Sequence, residues 1–423
     1  MSRDLREVVV VGASLAGLRA AGALRDAGYD GRLTLVGEEV HLPYDRPPLS
    51  KALRVDDLPL PDDGLRAEWR LGRRAVGLDS RRRVLTLDDG HTLRYDGLVI
   101  TTGAAARGWP DPHVTLPAGV FTLRGKDDTE ALREALGAAR SVVVVGAGFL
   151  GGEVAAAARA LGLEVTLVEA AGQPLERAVG ERVGAYIGRL HQEAGITLRT
   201  GRTVTAFHGG ERLTGVTLSD GTGIAADVAV LALGAVPATG WLEGSGLWLD
   251  DGVRCDAALR ALRTDGSPVG SVVAAGDVVR WPHPLADGEP VALGHWTNAV
   301  DQAVVAAGTL LAPERPLPFD GLPSFWSDLH GVKIRSVGLP GLADEVRVIE
   351  LDLPGRTLEA CYLRKGRLVG ALTVNRVRRL AGYRAQLRAD LSAGLPAGLS
   401  AGPSAGLPAE RSPLTGDAVP ALP

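Results

Sequence analysis

One pattern in this chain constrains its fold more than any other: a strand, a glycine-bearing turn, a helix and a second strand, and it occurs twice. Residues 7–11 (EVVVV) form a short apolar run. A turn follows, then helical periodicity to Ala27, then a second apolar run at 32–36 (RLTLV). The order recurs as 141–145 (SVVVV), a turn at 146–151, a helix to about Leu161 and a run at 164–168 (EVTLV). Continuous apolar strands alternating with helices indicate parallel sheets covered on both faces. The fold class is therefore α/β, with two Rossmann-like dinucleotide-binding domains.

The turns carry the chemistry. A dinucleotide fold needs a tight strand-to-helix turn, so that backbone N–H groups and the helix N-terminus face a pyrophosphate. An acid at the end of the second strand then binds ribose hydroxyls. Gly12-Ala13-Ser14-Leu15-Ala16-Gly17 has this form, with Ser14 at the middle glycine position. Glu38 follows 26 positions after Gly12, with Glu39 in reserve. Gly146-Ala147-Gly148-Phe149-Leu150-Gly151 is complete, and Glu169 follows 23 positions after Gly146. A single glycine pattern is weak evidence, whereas two in strand–turn–helix context, each with its acid, are strong. The bland alternative is that one unit is a vestigial Rossmann turn. Two dinucleotides in one chain suggest FAD at the N-terminal site and NAD(P) at the internal one. Glu169 favours NADH, because a 2′-phosphate would meet a carboxylate.

The 423 residues exceed one ordinary core. The net charge of −4 gives no reason to expect nucleic-acid binding. No uncharged apolar run approaches the roughly 18 residues of a membrane-spanning helix, so no membrane partner is expected. The apolar N-terminus could pass for a signal peptide, but it reads better as the first strand. Two distant cysteines, Cys255 and Cys361, argue against a disulfide scaffold, predict no metal site and fit a reducing cytoplasm. From about Leu317 the pattern changes. Segments 345–352 and 358–363 alternate as antiparallel strands, and 375–390 reads as a helix, which together predict a C-terminal α+β domain. Short strands are also expected at 83–87 and 94–100. The expected division is residues 1–108 and 236–312 for FAD, 109–235 for NAD, 313–390 for the C-terminal interface domain, and 391–423 as a disordered low-complexity tail rich in Ala, Gly, Leu, Pro and Ser.

Several separated motifs make the chain resemble the NADH-dependent ferredoxin reductases of bacterial oxygenase systems, the group that includes putidaredoxin reductase. They are Pro43-Tyr44-Asp45-Arg46-Pro47-Pro48-Leu49-Ser50-Lys51, Thr102-Gly103-Ala104, the turn at 146–151 followed by Glu153, Ala275-Gly276-Asp277-Val278, His295-Trp296-Thr297-Asn298-Ala299 and Phe325-Trp326-Ser327-Asp328. The resemblance runs from about Val8 to Leu387. It implies that Arg46 and Lys51 line the FAD, with Lys51 near its reactive edge, and that Val76 touches the adenine through its backbone. It further implies that Asp277 bonds the ribityl chain, Trp296 lies along the pyrimidine end and Trp326 stands beside the flavin. Thr102, Gly103, Arg177 and Gly234 complete the expected cofactor contacts. Departures from the pattern are Gly294 for Glu, Ala238 for Asn and His330 for Tyr.

Each reading has a plainer counterpart. Lys51 could be a surface lysine, though the chain has only three others, Lys126, Lys333 and Lys365. Asp277 could cap a helix. Trp326 and Trp296 could be ordinary core. Glu153 could be an acid favoured by the helix dipole in the first turn. The alternative is that Lys51 and Glu153 pair beside the flavin, and with Trp326 these are the expected catalytic residues. His295 and His330 are expected to be structural.

The region HLPYDRPPLSK holds no cysteine, so no thiolate adjoins the flavin and thiol–disulfide exchange is excluded there. Electrons must leave to something external. A small iron–sulfur ferredoxin serving a cytochrome P450 or a Rieske oxygenase leads. Oxygen or a quinone follows, and an NADH-responsive binding flavoprotein akin to apoptosis-inducing factor is the non-enzymatic alternative. Arg73, Arg74, Arg315 and Arg335 are candidates for an acceptor-docking patch.

Overall fold

The structure, a computed structural model, describes residues 5–394 apart from 57 and 63. The strand Glu7–Val11 pairs in parallel with Arg32–Gly37 on one side and Gly97–Ile100 on the other. Glu68–Leu71 and Pro268–Ala274 extend this sheet in parallel, and Arg260–Leu262 closes it antiparallel, giving six strands. Val8, Val9, Val10 and Val11 are all buried, in one core with Leu18 and Leu24 of the helix Leu15–Asp26 and with Leu78, Leu85 and Leu87 of a small antiparallel sheet. The helices Leu15–Asp26 and Trp296–Leu311 pack closely against each other. Small side chains allow that approach: Ala16, Ala20 and Ala21 on the first helix and Ala299, Ala303, Ala306 and Ala307 on the second are all buried.

A second parallel sheet orders its strands Thr197–Thr200, Glu164–Glu169, Ser141–Val145, Val228–Leu231 and Val120–Thr122. A two-stranded antiparallel ribbon, Ala104–Ala106 with Ala235–Pro237, carries the two chain crossings between these units. The C-terminal sheet is fully antiparallel, in the order Ser324–Leu329, Val332–Gly338, Arg367–Val374, Thr357–Arg364, Glu345–Asp352. One face packs Leu358, Ala360 and Tyr362 onto Val183, Tyr186 and Ile187 of the helix Glu181–Glu193. The other meets the helix Leu380–Gly394. The architecture is thus two Rossmann-like units and a C-terminal α+β unit.

Three local expectations need correction. The stretch 94–100 is two strands. Thr92–Arg94 belongs to a small antiparallel sheet and Gly97–Ile100 to the main one, divided at Asp96, whose carboxylate accepts from the N–H groups of Arg6 and Glu7. The helix expected at 375–390 starts at Leu380, because Asn375 adopts φ +53° and Val377–Arg379 form a single 3-10 turn. It continues to Gly394, four residues into the expected tail, since Leu391 is still buried in the core. The remaining tail residues lie outside the described residues.

Candidate active site

Both glycine turns are sterically compelled. Gly12 has φ +111°, and a Cβ there would lie 2.1 Å from the Thr101 carbonyl oxygen. A Cβ on Gly17 would lie 1.9 Å from the Gly12 oxygen. The second turn repeats this: Gly146 has φ +104° and opposes the Ala232 oxygen at 2.4 Å, and Gly151 opposes the Gly146 oxygen at 1.9 Å. The middle Gly148 faces open space, with nothing within 4 Å of its added Cβ. These are a tight turn, a close helix–strand approach and an open cradle, as a pyrophosphate requires. Leu15 and Phe149 begin the two helices, and neither helix has a side-chain cap, so their first-turn N–H groups are left to an anion. FAD and NADH fit these two cradles.

At the first turn, Ser14 occupies the middle position and its hydroxyl accepts from Arg46 Nε at 3.3 Å. Arg46 is locked from several sides. It forms an ion pair with Glu39, and its Nη1 donates to the Arg124 carbonyl at 2.9 Å and to the Tyr44 hydroxyl at 3.2 Å. Tyr44 in turn donates to Glu39. Glu39, the reserve candidate for the ribose, is therefore committed to Arg46. Glu38 is exposed at the strand end, with no hydrogen-bond partner among the described residues, and so remains available to a ribose. Val76 is passed over by the strand register between Ala75 and Gly77, which leaves its backbone outside that ladder. Thr102 donates to the Ala238 carbonyl at 2.9 Å, and Gly103 turns with φ +66°.

Asp277 does not cap a helix, since the strand Val279–Pro282 follows it. It pairs instead with Arg124 Nη2 at 2.7 Å. Arg124 also presents its guanidinium beside Gly103 and its carbonyl to Arg46. Sequence reasoning missed Arg124, because it stands in a stretch without a glycine turn or a Pro-Pro signature.

The junction of the three units is a charged knot. Lys51 ends the short helix Pro47–Lys51, which packs against the helix Phe149–Ala160. Its Nζ donates to Glu153 Oε1 at 2.6 Å, with the side chains 19% and 8% exposed. Ser50 Oγ donates to Oε2, and Ser327 Oγ from the C-terminal sheet donates to Oε1, each at 2.6 Å. A buried carboxylate is costly unless paired and bonded, and here it has one cation and two hydroxyl donors. Glu153 is the fifth residue of its helix, beyond the first turn, so the helix-dipole reading does not account for it. Asp328 lies 3.9 Å from Lys51 Nζ and accepts from Arg335 Nη1 at 2.8 Å. The two serines and Asp328 were not singled out by sequence reasoning as partners of Glu153 and Lys51.

Two indoles flank this junction. Trp296 and Trp326 meet edge-on with ring centres 6.0 Å apart, and Trp296 Nε1 donates to Asp45 Oδ1 at 2.8 Å. Both are half-buried, unlike the fully buried Trp281 of the core. Burial pushes the Asp45 carboxyl above its usual range, against the Trp296 hydrogen bond and the charge of Arg54. His295 precedes Trp296. Burial pushes its ring below the usual histidine range, and its Nδ1 has no partner. Phe325 packs tilted against Phe149 with ring centres 4.7 Å apart, so the start of the second cradle's helix touches the C-terminal sheet.

At the second cradle, Glu169 ends its strand and accepts from the N–H groups of Ala147 at 2.7 Å and Ala171 at 2.9 Å. Leu150 packs into the core below, and Gly234 adopts φ +93° above open space. Arg177 is exposed in the short helix Glu176–Val179 beyond Glu169. Neither cysteine approaches these groups through any bond. Cys255 is fully buried in the first core and Cys361 lies in the C-terminal sheet, and burial pushes both thiols up. Of the docking candidates, Arg73 pairs with Asp89 and Arg335 with Asp328, while Arg74 and Arg315 are exposed.

Comparison with known proteins agrees with this geometry. Residues 6–303 match the pyridine nucleotide-disulphide oxidoreductase model, and residues 324–397 match the reductase C-terminal model. The ferredoxin–NAD(+) reductase component of the biphenyl dioxygenase system of Paraburkholderia xenovorans is 34% identical over 88% of this chain and 90% of its own. A ferredoxin reductase structure from Rhodopseudomonas palustris superposes with a TM-score of 0.84 at 35% identity, covering 91% of this chain and 95% of that one. The reductase in a covalent putidaredoxin reductase–putidaredoxin complex gives 0.83 at 30% identity, covering 90% and 92%. With two glycine cradles, a charged junction between them and no cysteine pair, this chain belongs to the pyridine nucleotide-disulphide oxidoreductase family, in the branch of the ferredoxin–NAD(+) reductases.

Proposed function

We propose that this chain is an NADH:ferredoxin oxidoreductase, passing electrons from NADH through FAD to a small external iron–sulfur ferredoxin that serves a cytochrome P450 or Rieske-type oxygenase. One observation carries the reading: the two dinucleotide cradles converge on the Lys51–Glu153 pair, and no thiol adjoins it. FAD held in the first cradle would supply the exchange between hydride transfer from NADH and one-electron transfer to the acceptor.

This chain's residues do the rest. Residues 1–108 and 236–312 bind FAD. There the Gly12 turn, Ser14, Leu15, Ala16, Gly17 and Arg46 hold the pyrophosphate, Glu38 the ribose, and Val76 the adenine. Thr102, Gly103 and Asp277 line the flavin side. Residues 109–235 bind NADH through Gly146, Gly148, Phe149, Leu150, Gly151, Glu169, Arg177 and Gly234. Residues 313–390 close the junction with Trp326. Lys51, held by Glu153, places a positive charge where negative charge develops on reduction, a preorganised electrostatic stabilisation. Trp296 and Trp326 exclude water from the junction. Among the described residues no helix is long and apolar enough to cross a membrane. The two unpaired cysteines support a cytoplasmic location.

The test begins anaerobically, and ferredoxin, oxygen and a quinone are then supplied separately as acceptors. Purified protein reconstituted with FAD should bleach on adding NADH, and should then reduce a cognate ferredoxin much faster than it reduces oxygen. A protein that takes up no FAD, or turns over faster with oxygen or a quinone than with any ferredoxin, would overturn the reading.

A further inference from the structure

We propose that His191 and His330 are a positioning pair for the Lys51–Glu153 site, holding the C-terminal hairpin at the height at which Ser327 reaches Glu153. The inference rests on the proposed function in one respect only: that NADH reduces a flavin at this junction.

His191 stands on the helix Glu181–Glu193 and is 1% exposed. His330 stands at the tip of the hairpin between Ser324–Leu329 and Val332–Gly338. Their rings meet edge-on at 4.9 Å, with His330 Nε2 2.9 Å from His191 Nδ1. One ring donates and the other accepts, so the accepting ring at least is neutral, and two neutral rings satisfy the bond. Burial keeps them so: it pushes His191 down to about 3, aided by His330, and His330 down to about 4, aided by the charge of Arg356. Arg356 also donates from Nη1 to the His330 carbonyl at 2.9 Å, fixing the tip from its far side.

The tip is a demanding place for a side chain. His330 has φ +50° and Gly331 φ +78°, two left-handed residues in succession, as a tight hairpin turn requires. A bulky residue at φ above zero is held there by its surroundings, and the His191 bond is such a hold.

Both rings communicate with Glu153 by short routes. Three residues back along the strand from His330 is Ser327, whose hydroxyl donates to Glu153 Oε1 at 2.6 Å. Between them, Asp328 faces Lys51 and Arg335. In the other direction, a Cβ on Gly152 would stand 3.3 Å from His191 Nε2, and Gly152 is the residue before Glu153. His191 thus fills the space beneath the helix that carries the carboxylate. Gly152, His191, His330, the strand and Ser327 close a ring of contacts on Glu153. Without the imidazole bond, the hairpin tip is free to shift along its strand direction, and Ser327 and Asp328 shift with it. Neither histidine is catalytic, since neither bonds Lys51 or Glu153.

The experiment compares H330Y with H330F. Both rings share size and the same backbone strain, but only tyrosine can donate to His191 Nδ1. From the other side, H191Q keeps an acceptor for His330 and H191M removes it. Each FAD-loaded variant is measured twice: for flavin reduction at saturating NADH by anaerobic stopped flow, and for the flavin midpoint potential. In the bond-deleting H330F and H191M, reduction should slow by about tenfold, the scale of a lost buried hydrogen bond. The potential should also fall, because Lys51 is held less firmly. H330Y and H191Q should stay near the parent protein on both measures. If donor-keeping and donor-deleting variants behave alike in both pairs, the proposal is overturned. If one pair fails to fold, the other decides. No ferredoxin enters either measurement, so a chain that reduces no ferredoxin would refute the proposed function and still test the pair.

Discussion

Lys51 and Glu153 stand 102 positions apart in the chain, yet Lys51 Nζ lies 2.6 Å from Glu153 Oε1. The first comes from the short helix after the FAD turn and the second from the helix after the NAD turn. The two groups share one partly enclosed site: removing Lys51 leaves Glu153 without its cation, and removing Glu153 leaves Lys51 only the more distant Asp328. Lys51→Met should keep FAD but slow flavin reduction by NADH by about tenfold or more, and Glu153→Gln should slow it too. Because they act as a unit, the double variant should be less impaired than the product of the singles. Stopped-flow reduction at saturating NADH measures this. An unchanged rate in flavin-loaded Lys51→Met would mean that the pair only fastens two domains together.

Glu169 is proposed to set the choice of nicotinamide. Its carboxylate is held at the strand end by the N–H groups of Ala147 and Ala171, so a 2′-phosphate would approach a fixed negative charge. The ratio of kcat/KM for NADH over NADPH should be on the order of 100-fold, about the 3 kcal/mol that an unpaired buried charge can cost. Glu169→Ala should narrow that ratio chiefly by improving NADPH. Equal specificity constants in the parent protein would place Glu169 away from the ribose.

The sequence disclosed the two cradles because glycines at fixed spacing are forced by contacts within one strand–turn–helix unit. Gly12 against Thr101 and Gly146 against Ala232 are the contacts that force them. Motif resemblance singled out Lys51, Glu153 and Trp326, and the structure brings the first two into contact. What it did not disclose is how unlike segments converge. Ser327 stands in a quoted motif, but its bond to Glu153 exists only because a hairpin from the third unit brings it there. Arg124 has no local signature, and its meaning comes from Asp277, 153 positions away. His330 reads as a structural residue and His191 carries no signal in the sequence, and their pairing depends on how the C-terminal sheet seats on the helix Glu181–Glu193. The helix ends were misjudged for local reasons: the left-handed Asn375 delays one helix and the buried Leu391 prolongs it.

Turnover should survive loss of both thiols. Cys255 and Cys361 are unpaired, and neither takes part in the bonded network of the junction. In Cys255→Ser the new hydroxyl can donate to the Val253 carbonyl, which the thiol already approaches at 3.5 Å. Burying a hydroxyl in the apolar first core should still lower the melting temperature somewhat. The double serine variant should therefore be less stable but nearly as fast with NADH and ferredoxin. A folded, FAD-loaded double variant unable to accept electrons from NADH would restore a thiol mechanism.

Electron transfer to an acidic ferredoxin should weaken as salt rises, with the association rate falling first. Screening acts over about 8–10 Å at physiological ionic strength. Arg335 is tied to Asp328 and Arg73 to Asp89, so single replacements there should change the salt slope less than replacements of the exposed Arg74 or Arg315. Rates measured from low to high salt with each variant give the slopes. A rate indifferent to salt would indicate an apolar docking surface.

The histidine pair gives the last prediction, for stability against pH. His191 and His330 titrate in the folded protein near 3 and 4, both below the ordinary value of 6.5, because burial opposes their charging. Between those values and 6.5 the unfolded chain binds protons that the folded chain does not. Stability therefore rises with pH through this window and is lost as pH falls from about 6.5 toward 4. Paired carboxylates also lose stability in acid, but they do so from the ordinary carboxylate range downward. The portion between about 6.5 and 5 belongs to the buried histidines, His191 and His330 foremost and His283 and His295 with them. Replacing both members of the pair, as in His191→Gln with His330→Tyr, should flatten the melting temperature over that upper portion and leave the steeper fall below pH 4.5 in place. Scanning calorimetry or thermal fluorescence across pH 4–8 reads both variants directly. A slope between pH 5 and 6.5 that is the same with and without the two imidazoles would show that they take up protons in the folded protein as readily as in the unfolded chain, contrary to their burial.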